Sequence, residues 1–182
     1  MPAGIWNIDP SHSSITFSVR HMVVSKTRGR FAKFEGKISF DPENPAASSV
    51  EVTIDPASID TADGQRDAHL RSPDFLDVEK FPNASYRSTK VEDLGGDRYR
   101  VTGHLTVHGV TKPVVLHVTY EGAAKDPWGG ERAGFAATTS FDRKDFGLEW
   151  NKALETGGLL VGERVDLNLE IEAIKQAAQK VA

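Results

Sequence analysis

Six histidines, scattered among interspersed acids and bases, are the side chains with which this chain of 182 residues could do chemistry; it has no cysteine to add to them. Without cysteine there is neither a thiolate nucleophile nor a disulfide. Serine, metal or nucleotide chemistry needs a recognisable frame: a Gly-x-Ser-x-Gly elbow, a His-Glu-x-x-His helix, a phosphate-cradling glycine loop or a dinucleotide fingerprint. None occurs. The expectation is a protein that is not an enzyme and carries no cofactor.

Two histidines come together if the hairpin they lie in has the register its apolar rows suggest. A connection through Gly109-Val110-Thr111-Lys112 sets Val107 opposite Val114, Leu105 opposite Leu116 and Val101 opposite Tyr120. His104 then faces His117 with Cβ atoms about 5 Å apart, close enough to share a metal. His108 would stand about 13 Å further along. Two ligands make a weak zinc site, so two solvated histidines on the outer face are the plainer reading and no metal is expected.

His21 ends the apolar row Ile15, Phe17, Val19. It either faces a ligand headgroup at a pocket mouth or is satisfied by a nearby main-chain carbonyl. Arg66, Asp67, His69 and Arg71 could likewise anchor a pyrophosphate through charge-assisted bonds. The commoner use of such a cluster is to pin its own segment in place, and Asp142-Arg143-Lys144-Asp145 reads as structural in the same way.

The elements that must position these groups are mostly strands. Residues alternate from Ser13 to His21, then along one run opened by Gly29 with Phe34, Gly36, Ile38 and Phe40 on its inner row. Val50, Val52 and Ile54 follow, then a strand from Ala84 to Val91, the hairpin, Arg132 to Phe141, and Arg164 to Ile174 with Val165, Leu167, Leu169 and Ile171. Between them, residues 60–81 change period. One helix capped by Asp60 or Thr61 is expected through Arg71, and a second from Ser72-Pro73-Asp74 that stops before Pro82. Pieces this short must lie on something, so the insert reads as a plug or lid.

About eight two-faced strands, roughly ten residues each, favour an all-β, extended eight-stranded antiparallel barrel with room for one small ligand, which an apolar inner face would make a greasy one. Gly36 and Gly103 in inward rows count against complete filling, unless they mark bulges. A single domain over residues 1–182 is the simplest division. Net charge of −4 argues against nucleic acid, and no apolar run is long enough to span a membrane. Met1 leads straight into folded-looking sequence, which predicts a cytoplasmic protein, or a periplasmic one if a leader has been trimmed.

Three blocks carry a resemblance: Arg66-Asp67-Ala68-His69-Leu70-Arg71-Ser72 with Asp74-Phe75 and Phe81-Pro82; Leu105-Thr106-Val107-His108-Gly109-Val110-Thr111-Lys112-Pro113-Val114; and Ser140-Phe141-Asp142-Arg143-Lys144-Asp145-Phe146-Gly147. With these, from Trp6 to Leu167, the sequence resembles the YceI-like proteins, lipocalin-like barrels associated with polyisoprenoid lipids. The resemblance implies an interior pocket for a long isoprenoid chain, often a homodimer, and many exported relatives.

Joined to the inward rows, it implies an apolar pocket of Phe17, Val19, His21, Phe34, Ile38, Phe40, Val52, Leu105, Val107, Leu116, Val118, Leu167 and Leu169. A headgroup would fall to His21, Arg66, His69 and Arg71. The expected function is non-enzymatic binding and transport of a polyisoprenoid or similar apolar lipid. The alternative is a stress-response or protein-interaction module with a side-chain-filled barrel, whose apolar connection 143–162 would serve partner contact, dimerisation or ligand access.

Overall fold

Alternation of apolar and polar residues becomes eleven antiparallel strands in the computed structural model, which describes residues 3–22, 24–41, 43–155 and 157–177. These are β1 (Gly4–Ile8), β2 (Ser14–His21), β3 (Ser25–Phe31), β4 (Phe34–Phe40), β5 (Ser49–Ile54), β6 (Ile59–Asp60), β7 (Ala84–Gly95), β8 (Arg98–Val107), β9 (Val110–Lys125), β10 (Glu131–Asp142) and β11 (Val161–Lys175). Among the described residues one α-helix, α1 (Gly64–Arg71), and three short 3-10 turns interrupt them.

Eleven strands make eight staves because three staves are broken. β11 pairs with β2 over residues 161–170 and then with β1 over residues 173–175. β3 and β4 continue one another in the same way, β3 against β2 and β4 against β1, and β5 and β6 follow them. The β1–β11 pairing closes the ring, giving an eight-stranded antiparallel barrel without a free flank at that seam. The run expected from Gly29 to Phe40 is therefore two strands, parted at Ala32 and Lys33. β1 lacked an expectation of its own, although Trp6 within it is fully buried against Ala133 and Ala173.

At the seam, side chains reinforce the ladder, which the Asp9 amide continues to the Glu172 carbonyl at 2.8 Å. The Ser13 hydroxyl donates to the Glu172 carbonyl, and the Glu172 amide donates back to the Ser13 oxygen at 2.9 Å. Arg132 reaches Asp9 and the Glu172 carboxylate from β10. Hydrogen bonds from Ser11, His12 and Arg132 hold the Asp9 carboxyl well below the usual carboxylate range, against the opposing effect of burial.

The hairpin register is corrected by four residues. Val107 faces Val110, Leu105 faces Lys112 and Val101 faces Leu116. His108 (φ 53°) and Gly109 (φ 72°) form a two-residue turn with both residues left-handed, the geometry that matches strand twist. Pro113 is tolerated in β9 because the β10 pairing covers only His117 to Lys125, so no ladder bond is lost on that side. The same shift disperses the histidine pair: His104 meets Pro113, and His117 meets Arg100.

The insert is half as helical as its composition suggests. Asp63, not Asp60 or Thr61, caps α1 by accepting from the Arg66 amide at 3.0 Å. Thr61 instead gives its amide and hydroxyl to the buried Asp67 carboxylate. The second helix is a chain of turns: the Phe75 and Asp77 amides both donate to the Ser72 carbonyl, and Asp77 is left-handed (φ 46°). Leu76 and Val78 spend their amides on Leu70 and Arg71 of α1, which a helix of their own would not allow. Phe75 and Leu76 are buried all the same.

Candidate functional site: a two-lobed barrel interior

The inward rows enclose two cavities of about 150 Å³ and 290 Å³. Ile15, Ile54, Leu105 and Leu167 line both and form a waist between them. Lobe one has Ile38, Phe40, Val52, Leu116, Val118 and Leu169 on its wall and, among the described residues, no charged one. Lobe two lies under the insert and takes Phe17, Val19, His21 and Val107. Alternation at period two fixes these faces, and the four-residue register shift, being even, leaves every side chain of the hairpin on the face expected.

Phe34 is the apolar residue that the walls do not include. It packs with Ile8 and Ile15 and closes the core beside the waist. Tyr86, Tyr99, Val101 and Phe135 line lobe one without having been anticipated as site residues. Leu148, Trp150 and Leu160 do so in lobe two, and their signal was the unusual apolarity of the 143–162 connection. That connection turns most of its bulk inward, with Leu159 left 41% exposed.

The glycines do not make the cavities. A Cβ on Gly103 would lie 2.5 Å from Tyr86 Cζ, and one on Gly36 would lie 2.7 Å from Ile8 Cδ1. Neighbouring side chains already occupy both gaps. Gly103 also sits at a register shift between β7 and β8, so the bulge reading is the correct one there. Burial pushes the Tyr86 phenol well above its ordinary pKa, keeping it a neutral donor.

The basic residues of the insert divide. Arg71 gives Nε to the Ala57 carbonyl (2.7 Å) and Nη2 to that of Ile59 (2.8 Å), pinning α1 to the barrel away from either lobe. Arg66 and His69 line lobe two. Arg66 bonds the Thr61 hydroxyl and carbonyl, both at 2.8 Å. His69 holds Asp74 at 2.7 Å and sets its ring edge-on to Trp150 and Phe75.

Arg143, read from sequence as structural, is also part of the wall of lobe two. It is 3% exposed and donates to the main-chain carbonyls of Gly162, Leu148 and Val161. Burial lowers its pKa, partly offset by Glu163 and Asp142 at longer range. Among the described residues one group of three side chains has metal-ligand spacing: Asp9, His12 and Glu172. The Arg132 guanidinium already bridges Asp9 and Glu172, so the cation this group holds is an arginine.

A closed, lipocalin-like antiparallel barrel with an apolar two-lobed interior is the class these features define. A family model for the YceI-like domain matches residues 6–173, and the chain belongs to that family. A UPF0312 protein of Vibrio cholerae is 45% identical over 166 residues, covering 91% of this chain and 84% of that one. BcnA of Burkholderia cenocepacia superposes with a TM-score of 0.78 at 27% identity, covering 91% of this chain and 98% of its own. A polyisoprenoid binding domain from Saccharophagus degradans, implicated in plant cell wall breakdown, shares the fold with a TM-score of 0.72 at 15% identity, over 96% and 100% of the two chains.

Proposed function

We propose that this protein is a non-enzymatic carrier that sequesters a long apolar lipid, a polyisoprenoid, in the barrel interior and transports it. The observation that carries the reading is the charge-free, aliphatic and aromatic wall of lobe one, which shares four aliphatic residues with the wall of lobe two. Burial of apolar surface is worth about 25 cal/mol per Å², so several isoprene units need few specific contacts to be held. The name of the Saccharophagus degradans domain supports the ligand class. A barrel that served only as an interaction module would have its interior filled by side chains, and the two lobes count against that.

Organic extraction of the protein purified from lipid-replete cells, followed by mass spectrometry, tests the proposal. A prenyl lipid in stoichiometric amount is expected. Clean extracts, together with no uptake of added polyprenyl chains by the stripped protein, would overturn it.

A further inference from the structure

Lobe two has a one-sided polar lining. Arg20, His21, Arg66, His69 and Arg143 contribute to its wall, and among the described residues no aspartate or glutamate does. The acids that pair with this wall stand outside it: Asp63, 3.9 Å from Arg66, and Asp74, against His69, are each about half exposed. Arg143 differs from the others. It is buried, its hydrogen bonds go to main-chain carbonyls, and among the described residues no carboxylate forms an ion pair with it. The two acids whose charge reaches it are also engaged elsewhere, Asp142 with the Lys144 amide and Glu163 with the Lys144 ammonium.

A buried cation with no carboxylate in contact is costly, since acids at longer range offset its desolvation only in part, and the cost is borne on folding whether or not anything binds. An anion arriving in lobe two relieves it, whereas a neutral polar group does not. Three carbonyls also leave part of the guanidinium's five N–H donors uncommitted. Lobe one offers no comparable group, its polar lining being tyrosine, serine and threonine.

From this asymmetry we infer that the ligand is amphiphilic with an acidic, oxyanion headgroup of the phosphate class, seated in lobe two against Arg143 with Arg66 and His69 beside it, its chain passing the waist into lobe one. The inference rests on the carrier reading and names the ligand class more narrowly: prenyl phosphates are favoured over prenyl alcohols and neutral prenyl rings.

The test is competitive binding to the delipidated full chain at low ionic strength, comparing geranylgeranyl diphosphate, geranylgeraniol and inorganic pyrophosphate. Charge-assisted contacts predict that the diphosphate binds about tenfold or more tightly than the alcohol, with a preference that shrinks as salt is added. Pyrophosphate alone should compete only far more weakly. Arg143→Gln should bring the two prenyl affinities together. If that variant does not fold, Arg66→Gln, which leaves the Arg143 carbonyl bonds in place, should narrow the gap by weakening the diphosphate more than geranylgeraniol. Equal binding of alcohol and diphosphate by the unaltered protein overturns the headgroup assignment and leaves the carrier reading intact. Pyrophosphate competing as well as the prenyl diphosphate overturns it in favour of a simple anion site. Binding of neither prenyl compound removes the carrier reading itself.

Discussion

The Tyr86 hydroxyl donates to the Val101 carbonyl at 3.0 Å, with the Val114 carbonyl 3.2 Å away, by lying over the bare Cα of Gly103. One side chain thus ties β7 to β8 and β9, and the absent side chain makes it possible. A Cβ at Gly103 would stand 2.5 Å from the ring and 2.6 Å from the Arg87 carbonyl oxygen, which is main chain and cannot swing aside. Gly103→Ala should cost about 1–3 kcal/mol of stability. Tyr86→Phe should cost about 1 kcal/mol, for two carbonyls losing one donor. Chemical denaturation midpoints for both variants decide it; an alanine variant as stable as the parent would show that β7 yields at its bulge.

Leu105 and Thr106 offer a test of inside against outside. Leu105 is 6% exposed at the waist, while Thr106 points outward and shares a hydrogen bond with Thr111. Leu105→Gln puts an amide among aliphatic side chains, at about 1–3 kcal/mol if it stays unpaired. The variant should still melt cooperatively, at a lower temperature, and yield less lipid on extraction. Thr106→Gln should retain the lipid. A Thr106→Gln protein stripped of lipid, beside a Leu105→Gln protein that keeps it, would exchange the two faces.

Acid should loosen the seam. Asp9 titrates in the folded protein well below the ordinary 3.8, held there first by Ser11, then by His12 and Arg132. A depressed carboxylate adds stability above its unfolded pKa, and that contribution disappears as pH falls from about 4 through the folded value. Asp9→Asn should therefore lower the melting temperature at neutral pH, and the gap from the parent should narrow progressively below pH ~4. Melting curves at pH 7 and pH 3 check this. A gap that stays constant would mean Asp9 acts by shape alone.

What the sequence makes legible here is which side of each strand faces in, because that depends only on residue parity. Phe17, Ile38, Leu116 and Leu169 are placed by alternation, and parity survives a hairpin slipped by four. Register itself is not local. It was decided by His108 accepting a left-handed backbone, which nothing in His-Gly advertises as strongly as Asn-Gly would. β1 escaped for a related reason: five residues with one tryptophan become a strand only because β4 and β11 are there to receive them. Arg143 reads from sequence as structural, in keeping with its three main-chain hydrogen bonds; its place in the wall of lobe two shows only in the folded chain.

Ile15, Ile54, Leu105 and Leu167, the four side chains of the waist, also say how a bound chain would leave. They offer no hydrogen bond that must break as each methyl branch slides past. Withdrawal then resembles drawing a cord through a greased ring, opposed only by the apolar area that returns to water. Each unit beyond the waist lengthens the dwell by a constant factor, since the loss of burial enters the dissociation rate exponentially while the approach rate barely changes. Short chains would turn over quickly and long ones persist, so a mixed lipid pool would sort itself by length over time.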